Sequence, residues 1–166
     1  MRSVAIIPAR GGSRGIPRKN VAMLDGKPLV VHTIHAARNA ELVDAVVVTT
    51  DDPEIASVAE RAGAWVVERP QALSGDSASS ESALLHALDQ LLIENGVDPE
   101  ITVFLQCTSP LTSSEDIDDT VAAVMEEGAD CALAVSPSHQ FMWSRSSAGH
   151  GVGINHDERV RQRRQD

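Results

Sequence analysis

Short apolar runs alternate with longer segments of helical periodicity along the chain. The runs are rich in Val, Ile, Leu and Ala, as expected of buried parallel strands, and lie at residues 4–7, 45–50, 64–67, 101–105 and 131–135. The segments between them carry apolar residues three and four positions apart. This spacing predicts helices at residues 28–39, 53–62, 80–95 and 113–127.

This alternation predicts an α/β fold, namely a Rossmann-like, doubly wound, mostly parallel sheet with helices on both faces. Ligands of such sheets bind beyond the carboxyl ends of the strands. That rule selects the loops at residues 8–20, 50–53, 68–80 and 106–112. After Ser136 the pattern of strands and helices stops.

Polar residues and glycines mark the predicted helix ends. Asp52 is a candidate N-cap ahead of Pro53, and Pro28 suits the first position of a helix. Ser113 or Ser114 is expected to cap the last helix, and Gly63 and Gly96 are expected to end two others.

The apolar faces of the predicted helices are expected to be buried against the sheet. They consist of Val30, Ile34, Ala37, Ile55, Val58, Ala59, Ala62, Ala83, Leu84, Ala87, Leu88, Leu91 and Leu92.

The loop after the first strand combines glycine with positive charge. Gly11, Gly12 and Gly15 allow positive φ and close approach of a ligand, so that their N–H groups can form an anion nest. Four basic side chains share the loop: Arg10, Arg14, Arg18 and Lys19. The expected guest is a triphosphate or pyrophosphate, although the spacing is neither a P-loop nor a dinucleotide fingerprint. A solvated turn is the alternative from glycine and charge alone.

Charge distribution supports this interpretation. The chain has a net charge of −10, which argues against a general nucleic-acid binder. Residues 1–38 nevertheless hold seven basic residues against Asp25 alone, a net charge of +6, so the remainder carries −16. Positive charge is therefore concentrated where an anion would be steered. Cys107 and Cys131 both lie in or beside apolar runs, and each is expected to be a small core residue.

The loop sequence A-R-G-G-S-R-G-I-P-R-K-N resembles the signature of the CMP-N-acylneuraminate synthetases. These cytidylyltransferases join CTP to a sialic acid and release pyrophosphate. The related CMP-Kdo synthetases have a similar P-A-R loop but usually lack the ending Lys19-Asn20, which favours the acylneuraminate branch. The resemblance implies a fold of the nucleotide-diphospho-sugar transferase type, with residues 1–136 as the nucleotide-binding domain and 137–166 as the start of a substrate or dimerisation region.

Two further segments carry the same resemblance. R-P-Q-A-L-S-G-D-S-A-S-S resembles the second signature of the family, which implies that Arg69 binds a phosphate or sugar oxygen and Ser80 the nucleotide. From the residues alone, a helix cap and a surface arginine explain this loop. Q-C-T-S-P-L resembles the family's Q-x-T-S-P-L and implies ligand contacts from Gln106, Thr108 and Ser109. Cys107 is a weak candidate for a catalytic thiol, because the reaction needs no covalent intermediate.

The end of the chain resembles the animal-type enzymes. H-Q-F-M-W at residues 139–143 and R-Q-R-R-Q-D at residues 161–166 are similar to that group's H-Q-F-x-W and R-x-R-R-Q-D. By resemblance Arg161 is the catalytic-site arginine, and Arg164 with Gln165 lies near the acidic sugar or across a dimer contact. Without the resemblance, such a run is a solvated basic tail.

The resemblance also implies Mg²⁺ as the cofactor and a homodimer when the protein is full length. No apolar run is long enough for a membrane span and the amino terminus does not resemble a signal peptide, so a cytoplasmic location without membrane partners is expected, and the net charge predicts no nucleic-acid partner. The family's metal-binding aspartates have no match in residues 1–166, so the ligands are expected beyond Asp166 and turnover by this chain alone is expected to be low or nil. Asp51, beside Asp52, is only a remote metal candidate.

The resulting hypothesis is in-line attack by a nonulosonic acid hydroxyl on the α-phosphorus of CTP. The loop amides around Gly11, Gly12 and Ser13 would hold the leaving pyrophosphate together with Arg10, Arg14 and Lys19. Nucleotide and sugar would be positioned by Asn20, Ser80 and Gln106, and anionic oxygens clamped by Arg69 and Arg161. The alternatives are a CMP-Kdo-type cytidylyltransferase and a catalytically silent nucleotide-binding module.

Overall fold

The computed structural model describes residues 1–12, 15–75, 78–137 and 140–160. They divide into two compact units, Met1–Ala134 and Val135–Asp166, which are described separately below. The interpretation of residues 1–136 as a nucleotide-binding domain and of 137–166 as a substrate or dimerisation region stays a prediction.

The described residues form eight strands and four α-helices. The strands are β1 (Ser3–Pro8), β2 (Met23–Leu24), β3 (Lys27–Pro28), β4 (Ala45–Thr50), β5 (Trp65–Glu68), β6 (Ile101–Phe104), β7 (Trp143–Arg145) and β8 (Gly151–Gly153). The helices are α1 (Leu29–Asn39), α2 (Pro53–Arg61), α3 (Ser80–Asn95) and α4 (Ser114–Met125), with short 3-10 helices at Lys19–Val21 and Gln71–Leu73.

The central sheet of the first unit has four parallel strands in the order β5-β4-β1-β6. β1 is hydrogen bonded on both sides, with Ile6 opposite Val47 of β4 and Phe104 of β6. Because side chains alternate along a strand, Ile6 and Ile7 pack on opposite faces, and both are fully buried. The predicted parallel α/β fold is confirmed.

Helices cover both faces of this sheet. Ala5 and Ile7 of β1 lie in the larger core, which also takes in buried residues of α1, α2 and α4. The smaller core on the other face joins Val4, Ile6 and Val47 to Ala87 and Leu91 of α3. Right-handed crossovers place α1 and α2 on one face as the chain moves from β1 through β4 to β5. They place α3 on the other face as the chain returns to β6.

Capping residues begin and end the helices much as the sequence predicts. The Asp52 carboxylate accepts hydrogen bonds from the Glu54 and Ile55 amides at the start of α2. Ser113 and Asp116 form a reciprocal capping box on α4, and this hydrogen bonding holds the pKa of the Asp116 carboxyl below its usual value. Gly96 ends α3 in the left-handed region, at φ 65°.

The predicted fifth strand, at residues 131–135, is wrong. These residues are not paired with a strand, and Leu133 and Val135 are 83% and 80% exposed. Among the described residues the parallel sheet ends at β6, and residues 130–134 border a groove beside β6 and α4 without pairing with that strand. Cys131 is accordingly exposed, and its expected place in the core is also wrong.

Two details of the predicted helices also differ. Pro28 is the residue before α1, with extended ψ of 142°, because it pairs with Met23 in the β2–β3 hairpin. Leu92 is 51% exposed although it fits the apolar periodicity of α3, whose buried face is set by Ala83, Ala87 and Leu91.

The second unit contains an antiparallel hairpin that the sequence pattern did not predict. β7 and β8 pair Trp143 with Gly153 and Arg145 with Gly151. The His156 ring lies 4.8 Å from the Phe141 ring and 4.7 Å from the Trp143 ring, measured between centroids. A Cβ at Gly153 would stand 2.6 Å from the His156 carbonyl oxygen, so glycine is required for this packing.

None of the helices in the described residues is both long and apolar enough to span a bilayer.

Two leucine substitutions test the extent of the core. Leu91→Ala, at a side chain that is 1% exposed, is expected to lower the free energy of unfolding by about 2–5 kcal/mol. Leu133→Ala is the matched control, and it is expected to change that free energy by no more than about 0.5 kcal/mol because Leu133 is solvated. Urea unfolding measures both, and a comparable loss in Leu133→Ala would mean that residues 131–135 are packed.

Candidate functional site

A cavity of about 420 Å³ opens at the carboxyl ends of β1 and β6. We call it the central cavity. Its described lining residues are Pro8, Arg10, Gly15, Lys19, Asn20, Arg69, Leu73, Gly75, Ala78, Ser79, Ser80, Phe104, Gln106, Cys107 and Thr108. Apart from Phe104, which ends β6, they come from three of the four loops that the sequence selected, because the carboxyl ends of parallel strands share one edge of the sheet.

Most of the predicted site residues that the structure describes line this cavity. They are Arg10, Lys19, Asn20, Arg69, Ser80, Gln106 and Thr108. Gly11 and Gly12 are not among its lining residues, and Ser109 instead borders a separate groove of about 680 Å³ between β6, α4 and residues 130–134. Five predicted residues lie outside the described ranges: Ser13, Arg14, Arg161, Arg164 and Gln165.

The charge of the cavity wall is one-sided. Arg10, Lys19 and Arg69 line it, and none of its described lining residues is an aspartate or glutamate. Three cations facing a common space repel one another unless an anion joins them. The wall is therefore suited to a ligand that carries several negative charges.

Arg69 is the most buried of these cations, with 6% of its surface exposed. Its backbone N–H donates to the Thr50 carbonyl at 2.8 Å, and its Nη2 donates to the Thr49 carbonyl at 2.7 Å. Its Nε is buried without a hydrogen-bond partner among the described residues. Burial lowers the pKa of the guanidinium, nearby Asp51 raises it, and Arg10 lowers it further. The charged guanidinium is therefore buried with only part of its hydrogen bonding satisfied among the described residues.

Arg10 links two loops of the cavity. Its Nη1 donates to the Gly75 carbonyl at 3.2 Å, across from the glycine loop to the loop that begins at Arg69. The Asn20 side chain, which is buried, donates from Nδ2 to the Arg10 carbonyl at 2.9 Å. Asn20 therefore holds the loop backbone, and that amide hydrogen bond is committed within the protein.

The amino terminus of α3 contributes hydroxyl groups. Ser79 is the N-cap, and its Oγ accepts from the Ser82 amide at 3.2 Å, while Ser80 is the first helical residue. Both line the cavity. A helix amino terminus carries partial positive charge, so α3 adds to the attraction for an anion.

The expected glycine nest lies only partly within the described residues, and there Gly11 and Gly12 differ from the expectation. Neither Gly11 nor Gly12 has positive φ. The Gly11 amide donates to Asp51 Oδ1 at 3.0 Å, so it is not free for a ligand. A Cβ at Gly11 would stand 2.7 Å from Asp52 Oδ2, which means that this glycine is needed for close packing against α2's cap. Gly12 has open space around it.

An apolar wall of the cavity was missed by sequence reasoning. Phe104 and Leu73 line it, and Phe104 is 40% exposed although it is the last residue of a buried-looking strand. The position of Phe104 at the end of its strand could have indicated this, because the final residue of a parallel strand lies at the ligand-binding edge of the sheet. Ala78 also lines the cavity.

Cys107 is buried, as predicted, and it lies in the cavity wall. Burial raises the pKa of its thiol to about 11, and nearby Lys19 lowers it only in part. The thiol is therefore protonated at neutral pH and unsuited to nucleophilic attack.

The described residues do not provide the donor set of a metal site. They bring together no group of three or more His, Cys, Asp or Glu side chains that could hold an ion. Asp51 and Asp52 are adjacent, but Asp51 accepts from Gly11 and Asp52 caps α2. This part of the chain does not form a magnesium cage.

Similarities to known proteins agree with the chemistry of the cavity. The family described as Cytidylyltransferase matches residues 4–158. The N-acylneuraminate cytidylyltransferase of Escherichia coli O18:K1:H7 is 39% identical over 138 residues, which are 82% of this chain and 32% of that protein. The CMP-N,N'-diacetyllegionaminic acid synthase of Legionella pneumophila is 38% identical over 155 residues, which are 91% of this chain and 65% of that protein.

A solved structure supports the same family. A CMP:2-keto-3-deoxy-manno-octonic acid synthetase complexed with CTP superposes with a TM-score of 0.66 at 25% identity, over 78% of this chain and 49% of that one. Across these matches the chain spans between about a third and two thirds of the length of each relative.

The two cysteines provide a test of the cavity wall. At pH 8 a thiol reagent is expected to modify exposed Cys131 rapidly and Cys107 slowly, since the Cys107 pKa of about 11 leaves little thiolate. In a Cys131→Ser variant, the rate at Cys107 should rise about tenfold per pH unit until the pH nears 11. Mass spectrometry gives the rates, and equal rates for the two folded thiols would contradict the described burial.

Proposed function

The chain belongs to the cytidylyltransferase family, and from that premise we propose that the protein activates a nonulosonic acid of the sialic type. In this proposal CTP and an acylneuraminate react to form the CMP-sugar and pyrophosphate. The observation that carries it is the central cavity, where three cations and no described carboxylate meet at the ligand edge of the sheet. The relatives named N-acylneuraminate cytidylyltransferase and CMP-N,N'-diacetyllegionaminic acid synthase support this class of substrate.

The triphosphate would be bound mainly by charge. Arg10 and Lys19 project from the glycine loop, and the amino terminus of α3 adds the Ser80 hydroxyl and a favourable dipole. Phosphoryl-type transfer needs little covalent help, so positioning and charge neutralisation suffice for catalysis. As the α–β phosphate bond breaks, negative charge grows on the leaving pyrophosphate, and these cations stabilise it.

The nucleoside and the sugar acid would use the remaining polar groups. Arg69 has one donor without a partner, and Gln106 accepts from Thr108 Oγ1 at 3.2 Å while lining the cavity. A carboxamide can both donate and accept, as reading a pyrimidine edge or a sugar hydroxyl requires. Phe104 and Leu73 supply the apolar surface against which a base or sugar ring can pack.

The remaining predicted residues stay in the proposal. Arg14 and Ser13 would join the triphosphate contacts, and Arg161 would clamp an anionic oxygen. Arg164 and Gln165 would lie near the acidic sugar or at a dimer contact. These roles rest on the sequence resemblance.

Mg²⁺, a homodimer and a cytoplasmic location complete the proposal. The described residues do not fit a magnesium cage, so the metal's carboxylate ligands are proposed outside them, and no step is assigned to the ion. A cytoplasmic location would give the protein access to CTP.

Arg10→Ala tests the role of the glycine loop. Because Arg10 would stabilise charge on the leaving pyrophosphate, its loss is expected to slow pyrophosphate release by on the order of a hundredfold, about 3 kcal/mol. The measurement is a coupled pyrophosphate assay with CTP, N-acetylneuraminate and Mg²⁺ on a form that carries the family's metal-binding aspartates, supported by calorimetric titration with CTP. Arg2→Ala is the control, because Arg2 pairs with Glu100 at the opposite end of β1.

An unchanged rate in Arg10→Ala would contradict the assignment of the loop. Binding of CTP without any pyrophosphate release, even in a form that carries the family's metal-binding aspartates, would instead favour the silent nucleotide-binding module.

The acceptor decides between the two cytidylyltransferase branches. We expect kcat/KM for N-acetylneuraminate to exceed that for Kdo by at least about tenfold, since a site with polar groups for the larger acid leaves them unpaired with the smaller one. The structural likeness to a CMP-Kdo-type synthetase makes the comparison necessary. Parallel assays with both acids at fixed CTP measure the ratio, and an inverted ratio would establish the CMP-Kdo-type function.

A further inference from the structure

Asp51 continues the hydrogen-bond ladder between β1 and β4 beyond the end of the strands. The last registered pair is Pro8 with Thr49, and the Ala9 amide then donates to the Thr49 carbonyl at 3.0 Å. The next amide on the same side is that of Gly11, and it donates to the Asp51 carboxylate at 3.0 Å. A side chain here takes the place that a main-chain carbonyl holds in the ladder.

The neighbouring acid has a different and sufficient explanation. Asp52 caps α2 through the Glu54 and Ile55 amides, and its second oxygen occupies the space beside Gly11. Asp51 caps no helix, and it is not among the residues that line the central cavity. Its carboxylate accepts the hydrogen bond from the Gly11 amide and so acts on the glycine loop.

Asp51 also acts on the second loop of the cavity. It is half-buried and close enough to Arg69 to favour the charged guanidinium, against the effects of burial and of Arg10. One carboxylate thus fixes the beginning of the glycine loop and balances the most buried cation. Both loops supply cationic lining residues, Arg10 and Arg69.

We propose that Asp51 is a positioning residue that holds the glycine loop in the arrangement that binds the nucleotide phosphates. This inference rests on the proposed function for its ligand, CTP. Asp51 does not contact the ligand itself, and its effect passes through the Gly11 amide. The conservative replacement Asp51→Asn retains an oxygen that can accept from Gly11 but removes the charge.

A matched control lies at the other end of the same two strands. Asp44 accepts from the backbone amides of Arg2 and Ser3, at 2.5 and 3.1 Å, through one carboxylate oxygen. It makes the same kind of hydrogen bond between β1 and the β4 side of the sheet, but on the edge away from the cavity. Asp44→Ala therefore removes a comparable structural contact without touching the loops.

The test combines amide exchange with ligand binding in the full chain. Exchange of the Gly11 amide, measured by NMR, is expected to be about tenfold faster in Asp51→Ala and near the unsubstituted rate in Asp51→Asn and Asp44→Ala. The Kd for CTP, measured by calorimetry, is expected to rise about tenfold in Asp51→Ala and not in Asp44→Ala. Asp51→Asn is expected to weaken CTP binding less than Asp51→Ala, because it restores the loop contact.

Three results would overturn the proposal. They are unchanged Gly11 exchange in Asp51→Ala, an unchanged Kd for CTP in that variant, and an equal rise in Kd in Asp44→Ala, which would indicate a general loss of stability. If the unsubstituted chain binds no CTP, the proposed function fails, whereas Gly11 exchange still decides whether Asp51 holds the loop.

Discussion

The central cavity depends on the parallel pairing of β1 with both of its neighbours. β4 and β6 bond to β1 in register, so the loops after β1 and β6 emerge at the same edge of the sheet, beside the loop after β4. The fully buried residues of β1 keep this strand from shifting, because a slip of one residue would exchange its two faces. The positions of Arg10, Lys19 and Gln106 follow from that pairing.

Burial of a guanidinium is the second constraint. Removing a charge from water is unfavourable unless nearby groups compensate it, and the chain provides the Thr49 carbonyl and the Asp51 carboxylate. This compensation is incomplete, since Nε has no partner among the described residues. The buried Arg69 guanidinium adds positive charge to the wall of the cavity, which favours an anionic ligand.

Several polar side chains at the site make hydrogen bonds within the protein itself. Asn20 holds the Arg10 carbonyl, Asp51 holds the Gly11 amide, and Ser79 caps α3. Such contacts fix the loops in advance, so binding does not have to order them. Some residues of the cytidylyltransferase signature therefore fix the backbone of the loops, and others are available to contact a ligand.

Local sequence patterns determined most of the fold and the place of the site. Some structural signals act over only a few residues, so the sequence alone predicts them. They include the β-branched runs, the Asp52 and Ser113 caps and the glycine after α3. The parallel alternation then placed Arg10, Arg69 and Gln106 at one edge, and the family resemblance named their chemistry. Only the tertiary structure decided that Gly11 packs against Asp52 and that Asp51 accepts a hydrogen bond from the Gly11 amide. It also decided that Phe104 faces the cavity and that residues 131–135 stay unpaired. These features depend on which distant segments meet in space, and a run such as 131–135 becomes a strand only where another strand offers hydrogen bonds and an apolar surface.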